Sequence, residues 1–476
     1  MYIVRYSEIG LKGTKARERM EQLLVRNISK GLGELSVEAT IKRGFGRIYI
    51  TGETDSDRAA DVLSRTMGVK NYSRAIHSRF TRLEDITSKA VELWADKVNG
   101  KSFAVRARRT GQHDFSSRDI MRAVGDAVYP YAGRVNLVNP DVEINVEVRE
   151  NSAYYFGEYS PGPGGLPLGS EGKLVALVSG GIDSPVAAWS VMKRGCPTDL
   201  IFCSLAHPVD TRDFLIAAKA LNDNWGHGYD PKIHIINGSK LVGELTDRSK
   251  FKLANITFKR ILYLLAERIA KKSKAHGIVT GESLGQVSSQ TPESLHATSH
   301  NLEVPVMRPM LGFDKDDIVA LSRKIGTFPE SSKGEFCSLF AAHPITRPTI
   351  SELEEDMKNF DFLEHLIGND TVIRGSEIAD FLSSLGESDV EASEVPMNSI
   401  VVDLRSKDKY EQWHFPGAVN MDLQAVDQLF SSRDGNTYIF YCMKGLQSAY
   451  AASRARAMGT TAYFISEDKL RKKVEA

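Results

Sequence analysis

The spacing of hydrophobic and polar positions changes several times along the 476 residues, and the changes divide the chain. The opening MYIVRYS alternates as a strand, and apolar positions then recur at helical spacing over 16–30. Two alternating runs, VEATIKR and GRIYITG, meet at a turn holding Gly44 and Gly46. A helix near 57–67 and a strand near 69–76 complete a β-α-β-β-α-β order. The next stretch predicts an amphipathic helix over 81–98, a strand SFAVRARR, a helix over 117–127 and two alternating strands, VEINVEVRE and SAYYFGEY. After PGPGGLPLGSEGK (161–173), whose prolines and glycines exclude a regular element, short continuous apolar runs alternate with helices. LVALVSGG, TDLIFCSL, IHIING and HGIVTGE read as strands, with helices over 184–194, 213–223, 255–272 and 315–324. Continuous rather than alternating apolar strands predict a parallel, doubly wound sheet covered on both faces. Residues 351–393 are acidic and irregular, and read as a helical then flexible connector. From 398 a last α/β pattern runs through SIVVDLR, PGAVNMD, TYIFYCMKG, a helix from Ser448, and AYFIS.

The chain is thus read as a multidomain α/β protein. A ferredoxin-like unit spans 1–75, a second small α/β domain 76–160, a linker 161–173, the doubly wound domain 174–350, a connector 351–393 and a small α/β domain 394–476.

Composition changes this picture little: 42% hydrophobic and 26% charged residues are ordinary for a globular protein, and the formal net charge is zero. The distribution says more. Residues 1–170 carry 26 Lys and Arg against 21 Asp and Glu, while the rest carry 35 against 40, so the N-terminal part is where a nucleic acid would bind. The four cysteines, Cys196, Cys203, Cys337 and Cys442, form no C-x-x-C pair and no disulfide scaffold. No signal-peptide core or run of 18 apolar residues occurs. The expectation is a cytoplasmic protein, not membrane-bound, with thiols normally reduced.

The strongest motif is Ser179-Gly180-Gly181-Ile182-Asp183-Ser184-Pro185, between the strand LVALV and a helix. Glycines let the backbone approach an anion, free N–H groups at the helix start point toward it, and two serines add donors. Asp183 alone would repel phosphate, so it is assigned to Mg²⁺. The pattern lacks the G-K-[ST] ending of a Walker loop and resembles the SGG-x-DS loop of ATP pyrophosphatases, which transfer AMP to a substrate oxygen. Together with Thr280–Thr291 (TGESLGQVSSQT), the opening RYSEIGLKG, Arg308-Pro309-Met310, Asp314-Lys315, Glu335-Phe336-Cys337-Ser338 and His343-Pro344, it resembles the tRNA 4-thiouridine synthetase family over nearly the whole chain.

That resemblance implies a ferredoxin-like unit and a THUMP domain that hold tRNA, and a pyrophosphatase domain that uses ATP to adenylate uridine 8. Carried over, the adenine and ribose lie against Leu177-Val178 and Phe202-Cys203. The phosphates meet Ser179–Ser184 and Lys259, and Gly281 and Gln290 close the pocket. The thiols of Cys203 and Cys196 read as small buried hydrophobes.

Cys442-Met443-Lys444-Gly445-Leu446-Gln447-Ser448 follows the strand TYIFY and precedes a helix. With Asp403-Leu404-Arg405 and His414–Ala418 it resembles a rhodanese active-site loop, although Gln447 stands where many rhodaneses have arginine. Loop N–H groups, a helix N-terminus and Lys444 would favour a thiolate or persulfide at Cys442. The resemblance also implies a transient disulfide between Cys337 and Cys442, sulfur supplied by a cysteine desulfurase, and a cellular reductant that resets the pair. For RNA, the expected face is Arg106, Arg108, Arg109 and Arg118, with Arg122, and with His113 and Phe115 in the intervening turn for stacking. Lys12, Arg17, Lys15 and Arg19 form a second basic patch. Two further readings remain: a non-catalytic RNA-binding sulfur relay, against which the intact phosphate loop argues, and a sulfur donor for thiamine thiazole synthesis, which can coexist with tRNA work.

Overall fold

The structure is a computed structural model. It describes residues 1–474 apart from 45, 206–208, 239–240, 242–243, 246–247, 251, 330–344, 361–369, 386–389, 427–428, 430–434 and 444. The chain splits into two compact units, Met1–Glu171 with Lys193–Gly195, and Gly172–Met192 with Cys196–Ala476.

Among its described residues the first unit has ten strands: β1 (Tyr2–Arg5), β2 (Thr40–Gly44), β3 (Arg47–Thr51), β4 (Asn71–Arg74), β5 (Ile76–Arg79), β6 (Ser102–Thr110), β7 (Arg134–Val135), β8 (Val142–Arg149), β9 (Ser152–Phe156) and β10 (Ser160–Pro161). They form two sheets, ordered β10-β4-β1-β3-β2 and β5-β9-β8-β6-β7. In the first, the helices Thr14–Glu34 and Ser56–Arg65 bury Leu24, Ile28, Val62 and Leu63 against Val4, Ile48 and Ile50, which is the ferredoxin-like arrangement the periodicity predicts. In the second, the helices Leu83–Trp94 and Ser117–Val128 bury Trp94, Ile120 and Val124 against Phe103, Ile144 and Tyr155.

The strand expected over 69–76 is interrupted at Ala75. β4 pairs with β1 and β5 with β9, so adjacent residues enter different sheets. The Pro- and Gly-rich stretch holds no regular element beyond β10, but it is not a free spacer: Leu166 and Leu168 are buried, and Leu168 O accepts from Asn27 Nδ2 at 2.9 Å. Where the two sheets of this unit meet, Glu147 is buried between three arginines. Arg5 lies at 3.3 Å, Arg47 at 2.9 Å and Arg149 beside it, and the Arg5 guanidinium lies 4.6 Å from the centre of the Phe156 ring.

In the second unit, β11 (Leu174–Leu177), β12 (Thr198–Ser204), β13 (Lys232–Asn237), β14 (Ile278–Val279), β15 (Val306–Met307) and β16 (Thr371–Arg374) form a sheet ordered β15-β14-β11-β12-β13-β16. All pairs are parallel except β13 with β16. The doubly wound sheet is as predicted, with one correction. The acidic stretch expected to be a helical then flexible connector supplies the antiparallel edge strand β16, followed by a helix, Ile378–Ser384. An edge strand buries few side chains: Ile373 is buried while Thr371, Val372 and Arg374 are exposed, which leaves almost no periodic signal. The last four strands, β17 (Ile400–Asp403), β18 (Val419–Asn420), β19 (Thr437–Cys442) and β20 (Thr461–Ser466), form a parallel sheet ordered β18-β17-β19-β20. Among the described residues, no helix is long and apolar enough to cross a membrane.

Candidate active site

The phosphate loop sits between β11 and the helix Asp183–Lys193, at the carboxyl end of the parallel strands, where ligands of open α/β sheets bind. Its own hydroxyls hold its shape. Ser184 Oγ accepts from Ser179 N at 2.9 Å and lies 3.0 Å from Ser179 Oγ, which accepts from Gly181 N at 3.3 Å. The glycines answer to close approach. A Cβ on Gly180 would fall 2.7 Å from Asp213 Cβ, and one on Gly281 would fall 2.5 Å from Ser184 N. The Thr280–Thr291 segment therefore lies directly against the start of the phosphate-loop helix. From that segment Gln286 Nε2 donates to Asp183 Oδ2 at 2.8 Å, and Lys315 Nζ donates to Asp183 Oδ1 at 2.6 Å.

One residue past Gly281, Glu282 is buried and accepts from four groups: Lys259 Nζ at 3.1 Å, Tyr263 OH at 2.5 Å, Thr280 Oγ1 at 3.0 Å and Arg308 Nε at 2.8 Å. Burial alone would raise this carboxyl, but Lys259, Arg308 and the Tyr263 hydroxyl more than offset it and hold it well below the usual carboxylate range.

Cys442 ends β19, in the same unit as the phosphate loop, and is 3% exposed. Gly445, at φ +81°, turns the chain into the helix Leu446–Ala457. Ser448 Oγ donates to Gly445 O at 3.0 Å and lies 3.4 Å from Cys442 Sγ, so its oxygen is left to accept from the thiol. Buried Arg405 is fixed by Asp403 at 2.6 Å and Glu467 at 2.9 Å, with its guanidinium 5.1 Å from the ring centre of Tyr441, the residue before Cys442.

Residues 169–362 match the family of the thiamine biosynthesis protein (ThiI), 1–73 its ferredoxin-like domain, 80–156 the THUMP domain and 388–468 the rhodanese-like domain. A tRNA sulfurtransferase of Thermoplasma acidophilum is 44% identical over 474 residues, covering 100% of this chain and 96% of its own length. One from Thermoplasma volcanium is 46% identical over 471 residues, 99% of this chain and 97% of its own length. This chain belongs to the tRNA sulfurtransferase family. The crystal structure of a 4-thiouridine synthetase–RNA complex with bound ATP aligns with it over 78% of this chain and 98% of that one, with 32% identity and a TM-score of 0.67.

The structure distributes the residues expected for a tRNA sulfurtransferase unevenly. Ser179, Gly180, Gly181, Ile182, Asp183, Ser184 and Gly281 come together as one surface. Lys259 is turned onto Glu282, and Gln290 is folded into its own loop, where its Oε1 accepts from Ser283 N at 3.4 Å. Val178 is buried and Leu177 partly so at the end of β11. Phe202 stacks on Phe214 with ring centres 4.6 Å apart, and Cys203 is core, its thiol pushed well up by burial and by Asp210. Both side chains are therefore turned into the core, and the two residues pair with Ile235 and Ile236 of β13. Cys196 is half-buried. Cys337 and Lys444 lie outside the described residues, as do Glu335–Ser338, His343 and Pro344.

On the expected RNA face, Arg108 and Arg118 are exposed, and Arg122 reaches Asp126 at 3.8 Å. Arg106 is tied to Glu143 at 3.3 Å and to Leu137 O at 2.6 Å, and Arg109 to Gly111 O at 2.7 Å. His113 and Phe115 are half-buried and stack on each other at 5.1 Å beside Phe80, so their rings serve the core of the domain as much as its surface. Arg106 and Arg108 line a cavity of about 300 Å³ with Glu143, Phe156 and Tyr159. Lys12, Lys15 and Arg19 are exposed, and Arg17 sits 3.9 Å from Glu21.

The residue-by-residue reading missed Glu282, Tyr263, Gln286, Arg308, Lys315 and Ser448 as parts of the site. All but Tyr263 stand inside motifs quoted above as family-like. The motif located the segment, but only the fold showed which side chains converge. No group of three or more His, Cys, Asp or Glu side chains able to hold a metal occurs among the described residues. A nucleotide-borne Mg²⁺ takes only one or two carboxylates, the rest being water and phosphate oxygens. Asp183 is a carboxylate of that kind at the head of the loop, where it accepts from Lys315 and Gln286.

Proposed function

We propose that the chain is a tRNA uridine 4-sulfurtransferase that adenylates the uridine oxygen and replaces it with sulfur carried on Cys442. The observation that carries this reading is the pairing, in one compact unit, of a serine-closed phosphate loop with a cysteine-bearing loop of the rhodanese kind. The name and bound ligand of the RNA-bound structural relative support ATP and tRNA as substrates, and the THUMP domain match supports the first unit as the RNA platform.

In the first step uridine O4 attacks the α-phosphorus of ATP. An O–P bond forms and the bond to pyrophosphate breaks. Loop N–H groups of Gly180–Ser184 and the hydroxyls of Ser179 and Ser184 bind the departing phosphates, and Lys315 and Lys259 supply positive charge. Asp183 would hold Mg²⁺, which when bound neutralises phosphate charge. In the second step the terminal sulfur of a Cys442 persulfide attacks C4, and AMP leaves with the former O4. Cys337 thiolate then attacks Cys442 Sγ, releasing thiouridine and leaving a Cys337–Cys442 disulfide, which a cellular dithiol reduces. A cysteine desulfurase is the class of enzyme that supplies the persulfide.

The test is 4-thiouridine formed on a tRNA transcript with ATP and a persulfide source. Cys442→Ala is expected to abolish thiolation while leaving tRNA-dependent pyrophosphate release intact. Asp183→Ala is expected to lower pyrophosphate release by about 100-fold or more. Full thiolation in Cys442→Ala would sink the carrier role, and unaltered pyrophosphate release in Asp183→Ala would sink its part in adenylation. The match to the thiamine biosynthesis protein family favours a second reading, sulfur donation for thiazole synthesis. It needs Cys442 and not the RNA platform, so rescue of a thiamine auxotroph by Asp183→Ala would support it.

A further inference from the structure

Two cations converge on one buried carboxylate beside the phosphate loop. Glu282 is 5% exposed, and the Lys259 and Arg308 side chains are 14% and 15% exposed. A structural ion pair closes when the charges balance. Among the described residues in this cluster the count is two positive to one negative, and a surplus charge held out of water is unfavourable until an anion completes it. The cluster adjoins the place where an anion would sit, since Gly281, the residue before Glu282, abuts Ser184 N.

The two cations are not held alike. Arg308 is fixed from several sides: Nε to Glu282 at 2.8 Å, Nη2 to Leu295 O at 3.4 Å and to Tyr263 OH at 3.5 Å, with the guanidinium 5.9 Å from the Tyr263 ring centre. Lys259 is a flexible stem ending on Glu282 Oε1, while Oε2 takes Arg308, Tyr263 and Thr280. We infer that Glu282 is a positioning residue: it anchors the Lys259 ammonium beside the phosphate loop, with Arg308 neutralising its other oxygen, so that the surplus charge serves the triphosphate and the departing pyrophosphate. Glu282 itself touches no substrate. The gain is preorganisation, because a lysine already held in place loses less freedom when the reacting phosphates arrive.

This inference rests on the adenylation reading, and its test separates the two. Pyrophosphate release from ATP is measured with tRNA transcript and the full chain, in wild type, Glu282→Gln, Lys259→Met and the double variant. Glu282→Gln is expected to lower kcat/KM for ATP by about 10- to 100-fold in the wild-type background. In the Lys259→Met background the same change should cost less than about twofold, because the residue it acts through is gone. A loss of equal size in both backgrounds, or none in the wild-type background, overturns the inference. Tyr263→Phe, which removes one hydroxyl and keeps the volume, serves where Glu282→Gln does not fold. It is expected to lose about threefold with Lys259 present and nothing without it, and no loss, or the same loss in both, again overturns the inference. A wild-type chain that releases no pyrophosphate overturns the adenylation reading itself, and the inference with it.

Discussion

At the scale of single residues, the site depends on how a few charges are paired. Asp183 is the clearest case. Its position at the head of a strand–loop–helix motif is legible in the sequence, but its two partners, Lys315 and Gln286, stand more than 100 residues away. The Glu282 cluster is assembled in the same way, from side chains on the helix Ala254–Ser273, after β14 and after β15. It carries a pH signature. Because its partners depress the folded pKa of Glu282, the carboxylate stabilises the fold fully above its ordinary value of 4.5, and this contribution drains away as pH falls through the lowered folded value. In denaturant unfolding, the stability gap between wild type and Glu282→Gln is expected to be complete above about pH 4.5 and to close on acidification below it. A gap that widens in acid would contradict this account. Phe202 and Cys203 teach the opposite lesson: the family resemblance assigns them to the nucleotide, yet their side chains are core.

At the scale of elements, the sequence reports periodic segments well and edges poorly. The helix Ser117–Val128 and the strand β8 carry strong amphipathic or apolar patterns and are found nearly where the pattern puts them. β16 carries almost none, and the strand expected over 69–76 hides a change of sheet at Ala75 that no hydrophobic period can reveal. The contact between the Thr280–Thr291 segment and the phosphate loop depends on the missing Cβ of Gly281. Gly281→Ala would press a methyl group onto Ser184 N, backbone that cannot step aside. It is expected to lower kcat/KM for ATP by about tenfold or more and stability by about 1–3 kcal/mol, read from pyrophosphate release and thermal unfolding. A variant with wild-type ATP use would show that the segment is free to withdraw.

At the scale of the whole molecule, the first unit is joined internally by Glu147 and its three arginines, and the second holds both chemical loops. Glu147→Gln leaves three cations without their buried carboxylate, so the unit is expected to lose about 3–5 kcal/mol, seen as an earlier unfolding transition; an unchanged transition would show the cluster to be solvated. Arg108, exposed on the expected RNA face, offers a milder test. Arg108→Ala should weaken tRNA binding and reduce the salt slope of the affinity by about one, and an unaltered slope would remove it from the interface.

What the sequence alone determined was the set of local patterns: the alternation that builds the ferredoxin-like unit, the apolar strands of the parallel sheet, the glycine–serine loop after β11 and the cysteine loop after β19. Each is contiguous, because strand, turn and helix-start chemistry act between near neighbours. Only the tertiary structure decided which distant charges meet, that Lys259 and Arg308 share Glu282, that Asp183 answers to Lys315 and Gln286, and that an acidic stretch closes the sheet edge. Such pairings arise where separate strands end side by side, and no periodicity within one segment encodes its neighbour's partner.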